Sequence, residues 1–408
     1  MRGMADPSPR AAMLPPSPFV RLTGLLGGTL PGMEPIALSV GEPQGPVPAF
    51  VGEILAREAA GFSKYPPIQG SDALRGAIAG WLRRRFVLAY DAVNPDTMIL
   101  PLNGTREGLF LSLFVIVPET KNGKRPAVLL PNPFYQAYPA GALASGAEPI
   151  YVNATRETRF LPDFAALPEE TLQRTAAVFA ASPSNPEGAI ADLAWWRDLF
   201  LLSDKYGFAV LADECYSEIY SSPTPPLGAL EAALLLGRGL DRLLVFNSLS
   251  KRSGLAGLRS GFVAGDPKLI AAYRDFRSNA GPQISGPLQA VSAHAWGDEA
   301  HVALNQAIYR TNFEIAQEEL GNLPGFRQPD GGFFLWMETG NGVETALKLW
   351  REAGLRVVPG QFLANDAGVG AVAGNPGIPF VRIALVNGPE TTRAALKRLA
   401  SVLTGPGT

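Results

Sequence analysis

The sequence predicts an α/β fold: a mostly parallel sheet with helices on both faces, followed by a smaller α+β unit. Three observations in its 408 residues carry this. From about residue 98 to 265, short continuous apolar runs alternate with helical patterns, as strands buried on both faces do. After Pro287 the pattern changes to a long helical stretch and then a few short strands. The segments richest in reactive side chains follow directly on apolar runs, at the carboxyl ends of strands, where ligands collect in such sheets.

In chain order, Met1–Pro18 is rich in Pro, Ala and Ser and lacks an apolar core, so it reads as a flexible arm rather than an export signal. Candidate strands of the large sheet are Met98–Leu102, Ala127–Pro131, Pro149–Val152, Ala177–Ala181, Phe208–Asp213, Leu243–Ser248 and Gly261–Gly265. Candidate helices include Arg106–Val117, Tyr135–Ser145 and Leu193–Tyr206. Further on, a helical stretch (Leu288–Glu319), a strand within Gly331–Trp336, a helix (Val343–Ala353) and strands at Val357–Pro359 and Phe380–Leu385 make the smaller unit. Residues near Ile36–Val40 are expected to complete it. The predicted division is 1–48 for the arm and part of the small domain, 49–287 for the large domain and 288–408 for the small C-terminal domain.

Composition narrows the function. Hydrophobic residues at 47% against 18% charged suffice for a sizeable core, and a net charge of −2 offers no basic stripe for nucleic acid. No apolar run is long enough to span a bilayer. The single cysteine, Cys215, excludes an intramolecular disulfide and fits a reducing, cytoplasmic compartment. Two histidines, His294 and His301, speak against a histidine metal site or a serine triad; seven apart, they read as helix-surface residues.

Ser248-Leu249-Ser250-Lys251, with Arg259 eight residues on, is the most informative stretch. A lysine on the loop leaving an apolar strand can form a Schiff base with an aldehyde, and hydroxyls with a cation suit an aldehyde that carries phosphate. That combination points to pyridoxal phosphate. Gly104-Thr105-Arg106 opens a helix after a strand, where successive N–H groups cradle an anion. Asp213 ends an apolar run and could pair with a protonated pyridine nitrogen, or simply cap a loop. Tyr216 and Asn185 could bond a phenolic oxygen; core packing and a plain Asn-Pro turn are the alternatives. Tyr135 offers a ring to stack on, or to bury. Arg382 lies inside the apolar strand Phe380–Leu385, so an anion is expected beside it: a substrate carboxylate or an internal salt bridge.

With these residues assembled, the chain resembles the class I, fold-type-I pyridoxal-phosphate aminotransferases. Gly41-Glu42-Pro43, Tyr65, Gly104-Thr105-Arg106, Tyr135, Asn185-Pro186, Asp213-Glu214-Cys215-Tyr216, Ser248-Leu249-Ser250-Lys251, Arg259 and Arg382 occur in the family's order. The resemblance implies a three-layer α/β/α large domain with a mostly parallel seven-stranded sheet. It implies that Lys251 carries the cofactor and shuttles the proton, with Asp213 on the pyridine nitrogen and Tyr216 and Asn185 on the phenolic oxygen. Gly104, Thr105, Arg106, Ser248, Ser250 and Arg259 would hold phosphate, Tyr135 would stack on the ring, and Arg382 with Gly41 and Asn185 would bind the substrate carboxylate. Tyr65 would reach the neighbouring subunit's phosphate, which implies a homodimer.

Within the family, the segments Pro131–Tyr138, Asp213–Tyr220, Ser248–Gly265 and His301–Arg310 are similar to those of the succinyldiaminopimelate aminotransferases. These exchange an amino group between N-succinyl-L,L-diaminopimelate and 2-oxoglutarate. Ser184 and Glu187 depart from the Gly and Thr commoner in the Ser-Pro-x-Asn-Pro-x-Gly turn, and Arg277–Gly286 diverges as well. Arg21, Lys64 and Arg277 are candidates for a substrate's distal carboxylates. Another amino-acid specificity, a β-eliminating lyase of the same fold, or an aminotransferase-like ligand-sensing regulator are the competing readings. The last would need a DNA-binding module that the roughly forty Pro/Gly-rich residues before Gly41 do not supply.

Overall fold

The computed structural model describes Leu14 and residues 16–405. Most of the expected N-terminal arm, Met1–Pro18, lies outside the described residues. At the centre stands a seven-stranded sheet: β1 (Ile99–Leu102), β2 (Ala127–Asn132), β3 (Glu148–Asn153), β4 (Thr175–Ala181), β5 (Ala209–Asp213), β6 (Leu243–Ser248) and β7 (Gly261–Gly265). Their spatial order is β1-β7-β6-β5-β4-β2-β3. Strands β2 to β6 run parallel, and β7 is antiparallel to both its neighbours.

Successive side chains of a strand face opposite sides, and here both sides are core. Val210 and Ala212 pack into one apolar cluster and Leu211 between them into another. Leu243 and Val245 divide from Leu244 and Phe246 in the same way. The unbroken apolar runs in the sequence are the direct result. The helix α1 (Asp72–Arg85) starts where Ser71 Oγ accepts from the Leu74 N–H at 3.3 Å. Helix α2 (Thr105–Leu111) follows β1. Helix α3 (Leu193–Tyr206) is capped by Asp192, which accepts from Trp195 N–H at 2.8 Å, and stops at Gly207 with φ +65°. Its buried residues Trp196, Leu199, Phe200 and Ser203 fall on one face at helical spacing.

The long helical stretch after Pro287 is two helices, α5 (Gly286–Gly297) and α6 (Ala300–Leu320), preceded by the short α4 (Leu249–Arg252) that carries Lys251. The break falls at Asp298, whose carboxylate accepts from the N–H groups of Ala300 (3.2 Å) and His301 (3.3 Å). A local capping preference outweighs continuation of the helix. Helix α5 places Trp296 on Trp81 of α1, ring centroids 4.7 Å apart, so it packs with the large layer. The expected helix Arg106–Val117 is likewise divided, at Ser112.

His301 is not a surface residue. It is buried at 7% exposure, its Nδ1 2.6 Å from Asp298 Oδ2 and its Nε2 2.8 Å from Ser253 Oγ. The partner on one side lies 48 residues away, which helical spacing cannot reveal.

A second core gathers Leu38 with residues from Tyr309 to Val402. It surrounds the antiparallel sheet β9-β10-β8, with β8 (Phe334–Glu338), β9 (Val358–Pro359) and β10 (Phe380–Ala384). Ile36–Ala37 pairs in parallel with Leu355–Arg356, which brings the N-terminal segment onto this lobe. Among the described residues no helix is long and apolar enough to cross a membrane.

Candidate active site

The carboxyl ends of the parallel strands open into a cavity of about 480 Å³ whose far wall comes from the second lobe. Strand β5 delivers Asp213, with Cys215 and Tyr216 just beyond it. Strand β6 delivers Ser248, and α4 adds Ser250 and Lys251. Helix α2 contributes Thr105 and Arg106, β10 contributes Arg382, and the loops give Gly41, Tyr135, Asn185 and Arg259. Every residue expected to bind the cofactor or the α-carboxylate lines this cavity except Gly104 and Tyr65. Gly104 sits directly behind it at φ +84°, where a Cβ would lie 2.3 Å from Arg259 Nη2. Only glycine allows both the backbone turn and the arginine's approach. Tyr65 is fully exposed.

Lys251 Nζ donates to the Gly41 carbonyl and lies 5.4 Å from the Phe333 ring centroid. Burial pushes its pKa down to about 8, with Arg382 and Arg259 acting in the same direction. A Cβ at Gly41 would come within 2.4 Å of Phe334 Cζ, so a side chain there would have to displace that ring. Asp213 accepts from Tyr138 Oη at 2.8 Å and from the Cys215 N–H at 3.3 Å, and burial raises its carboxyl above the usual range. A cation placed against it would be strongly favoured.

Arg382 is buried at 5% exposure. Its Nη1 donates to Asn185 Oδ1 (3.1 Å) and its Nη2 to the Ser39 carbonyl (2.7 Å), and Phe334 lies beneath it at 4.2 Å. Its Nε has no partner among the described residues, and burial pulls its pKa down to about 10. The alternative of an internal salt bridge is not realised there, and the donor set suits an external carboxylate. Elsewhere in the cavity Arg106 Nε donates to Tyr135 Oη at 2.7 Å, and Thr105 Oγ1 lies 3.1 Å from Cys215 Sγ. Hydroxyls, two arginines and a helix start on one side, an amine, a carboxylate and aromatic rings in the middle: this donor set fits pyridoxal phosphate.

The three candidates for distal carboxylates do not enter the cavity. Arg277 is buried with Nε on Glu107 Oε1 (2.7 Å), Nη1 on the Pro101 carbonyl (2.5 Å) and Nη2 on the Pro282 carbonyl (2.6 Å). Its donors are consumed within the fold. Arg21 packs over Phe362 at 4.0 Å, and Lys64 is exposed. Two further cavity residues, Tyr138 and Glu187, were given no role from the sequence. Tyr138, stacked on Phe179 at 4.3 Å, looks like any core aromatic, although it closes the segment quoted for the family resemblance. Glu187 stood out as an odd residue in its turn, without a role.

Comparison with known proteins agrees with this geometry. The family model for aminotransferase class I and II matches residues 34–401. An LL-diaminopimelate aminotransferase of Dehalococcoides mccartyi is 29% identical, covering 97% of this chain and 98% of its own. The 4-dedimethylamino-4-oxo-anhydrotetracycline transaminase OxyQ of Streptomyces rimosus is 32% identical over 89% of this chain and 92% of its own. Among solved structures, an aminotransferase from Neisseria meningitidis superposes with a TM-score of 0.91 at 40% identity, covering 96% of this chain and 98% of that one. With the fold, the cavity and a match over nearly its whole length in agreement, the chain belongs to the class I and II aminotransferases, enzymes that depend on pyridoxal phosphate.

Proposed function

We propose that the chain moves an amino group between a diaminopimelate-type donor, N-succinylated or free, and 2-oxoglutarate. Relatives named LL-diaminopimelate aminotransferases, matched over nearly their full length, support the donor class. The observation that carries the reading is Arg382: a buried guanidinium with an unpartnered Nε, in the same cavity as a lysine of lowered basicity.

On this reading Thr105, Arg106, Ser248, Ser250 and Arg259, with the Gly104 turn, would bind the phosphate, and Tyr135 would stack on the ring. Asp213, held by Tyr138, would pair with the ring nitrogen, and Tyr216 and Asn185 would bond the phenolic oxygen. Arg382 clamps the α-carboxylate, with Asn185 holding its Nη1 and Gly41 supplying backbone. When bound, pyridoxal phosphate supplies an electron sink for the charge left at the substrate's Cα. Lys251 Nζ would hold the cofactor through its aldehyde and, as a free amine, would carry the proton at the substrate's Cα. A pKa near 8 lets it do both close to neutral pH. Exposed Tyr65 we assign to the neighbouring subunit of a homodimer; a fully active monomer by light scattering would remove that assignment.

The test is a half-reaction screen of amino donors, following the cofactor's absorbance, with both diaminopimelates and glutamate included. Lys251→Ala should lose at least ~10³-fold in turnover. Retained turnover in that variant would refute the lysine's role, and inertness toward both diaminopimelates would refute the donor class.

A further inference from the structure

Glu187 is a buried acidic residue of the cavity wall to which the transamination chemistry gives no task. Glu187 sits in the turn Ser182–Ala189, two residues after Asn185, and lines the same cavity as Lys251 and Arg382. It is 2% exposed, and its Oε1 has no partner among the described residues. The nearby cation does not take it: Arg327 donates to the Glu187 main-chain carbonyl and pairs with Asp330 Oδ2 at 3.6 Å. A buried carboxyl beside a guanidinium that binds elsewhere is costly unless something else completes it.

The turn is rigid. Ser184 O accepts from Gly188 N–H at 3.0 Å, and Ser184 Oγ accepts from Ala189 N–H at 3.0 Å. Gly188 has φ +69°, and a Cβ there would lie 2.6 Å from the Gly331 carbonyl and from Pro329 Cβ, so the turn is locked against the second lobe. Glu187 is therefore presented at a fixed point on the wall rather than carried on a mobile loop, as a specificity group must be. Burial, opposed by its own backbone N–H, Ser184 and Arg327, pushes its carboxyl up to about 7.

We infer that Glu187 is a specificity-determining residue that accepts a hydrogen bond from a nitrogen on the side chain of the amino donor. The inference rests on the proposed donor class and narrows it, because both candidate donors carry such a nitrogen, a free ammonium in one and an amide N–H in the other. Glutamate and 2-aminopimelate carry none. Discrimination of this kind comes from leaving a buried acceptor unsatisfied by the wrong substrate.

The experiment compares kcat/KM of the holoenzyme for LL-diaminopimelate, N-succinyl-LL-diaminopimelate, L-lysine and L-2-aminopimelate, the last lacking only the distal nitrogen. Ratios to 2-aminopimelate are read in wild type, Glu187→Gln and Glu187→Met, so that a general loss of activity cancels. Wild type should favour a nitrogen-bearing donor at least ~10-fold, as expected for one unsatisfied buried group. Glu187→Met should bring the LL-diaminopimelate ratio to near unity and lower the other two. Glu187→Gln should keep preference for the amide and lose it for the ammonium, which separates the two donors. Bound-cofactor absorbance and Tm report folding, and Glu187→Gln carries the test if the methionine variant misfolds. Ratios unchanged in both variants, or a wild type indifferent to the distal nitrogen, would overturn the inference. Preference for lysine over both diaminopimelates, abolished in Glu187→Met, would uphold it while removing the diaminopimelate reading.

Discussion

Arg277, on a helix, and Arg382, inside strand β10, are both buried arginines, and their surroundings differ in one respect. Arg277 meets Glu107 and two main-chain carbonyls, so its charge and donors are answered within the chain. Arg382 meets an amide oxygen and one carbonyl, no carboxylate is paired with it among the described residues, and its Nε is left over. The first closes a structure; the second leaves room for a carboxylate brought from outside. Glu214 illustrates a third outcome. Buried at 1% exposure, with Oε1 accepting from Ala229 N–H and Oε2 unpartnered among the described residues, it is pushed by burial up to about 8, which favours the neutral carboxyl. Depth of burial is common to all three, and partner chemistry decides what each does.

The contrast can be broken most directly at the two arginines. Arg277→Ala should lower stability by about 3–5 kcal/mol, because it strands the Glu107 carboxylate. Arg382→Ala should cost little in stability and lower kcat/KM by about 2–5 kcal/mol, the range for truncating one partner of a buried charge pair. Urea unfolding and steady-state kinetics on both variants check this, and exchanged outcomes would invert the assignment. A smaller effect is expected at Glu214. Its folded pKa is raised from 4.5, so its contribution to stability is fully present below pH 4.5 and lost as pH climbs to about 8. Glu214→Gln should remove that slope, at most about 1.4 kcal/mol per pH unit, from stability measured between pH 5 and 8. An unchanged slope would mean that the group titrates normally.

Much of this was legible before any coordinates. Strands β5 and β6 announce themselves as apolar runs, and a charged or hydroxylated residue at the end of such a run has few reasons to be there. Hence Asp213, Ser248 and Lys251 stood out, and so did Arg382 inside β10. Pairings across long separations were not legible. Arg277 finds Glu107 at a distance of 170 residues, His301 finds Ser253 at 48, and Tyr138 finds Asp213 at 75. Each looks ordinary in its own neighbourhood. Spacing reports which face of an element is apolar, but it carries no information about which distant polar group will arrive opposite. The division of the stretch after Pro287 was hidden for another reason. Asp298 is unremarkable inside a helical pattern until its side chain caps the next helix.

Helix α6 has its first turn hydrogen-bonded, through His301, to Ser253, two residues past Lys251. Its later residues Tyr309, Phe313, Ile315 and Leu320 are embedded in the second core. A 21-residue helix is a stiff rod about 30 Å long. Lys251 and the lobe that bears Arg382 are thus fastened to opposite ends of one girder, and a tilt at either end would be felt at the other.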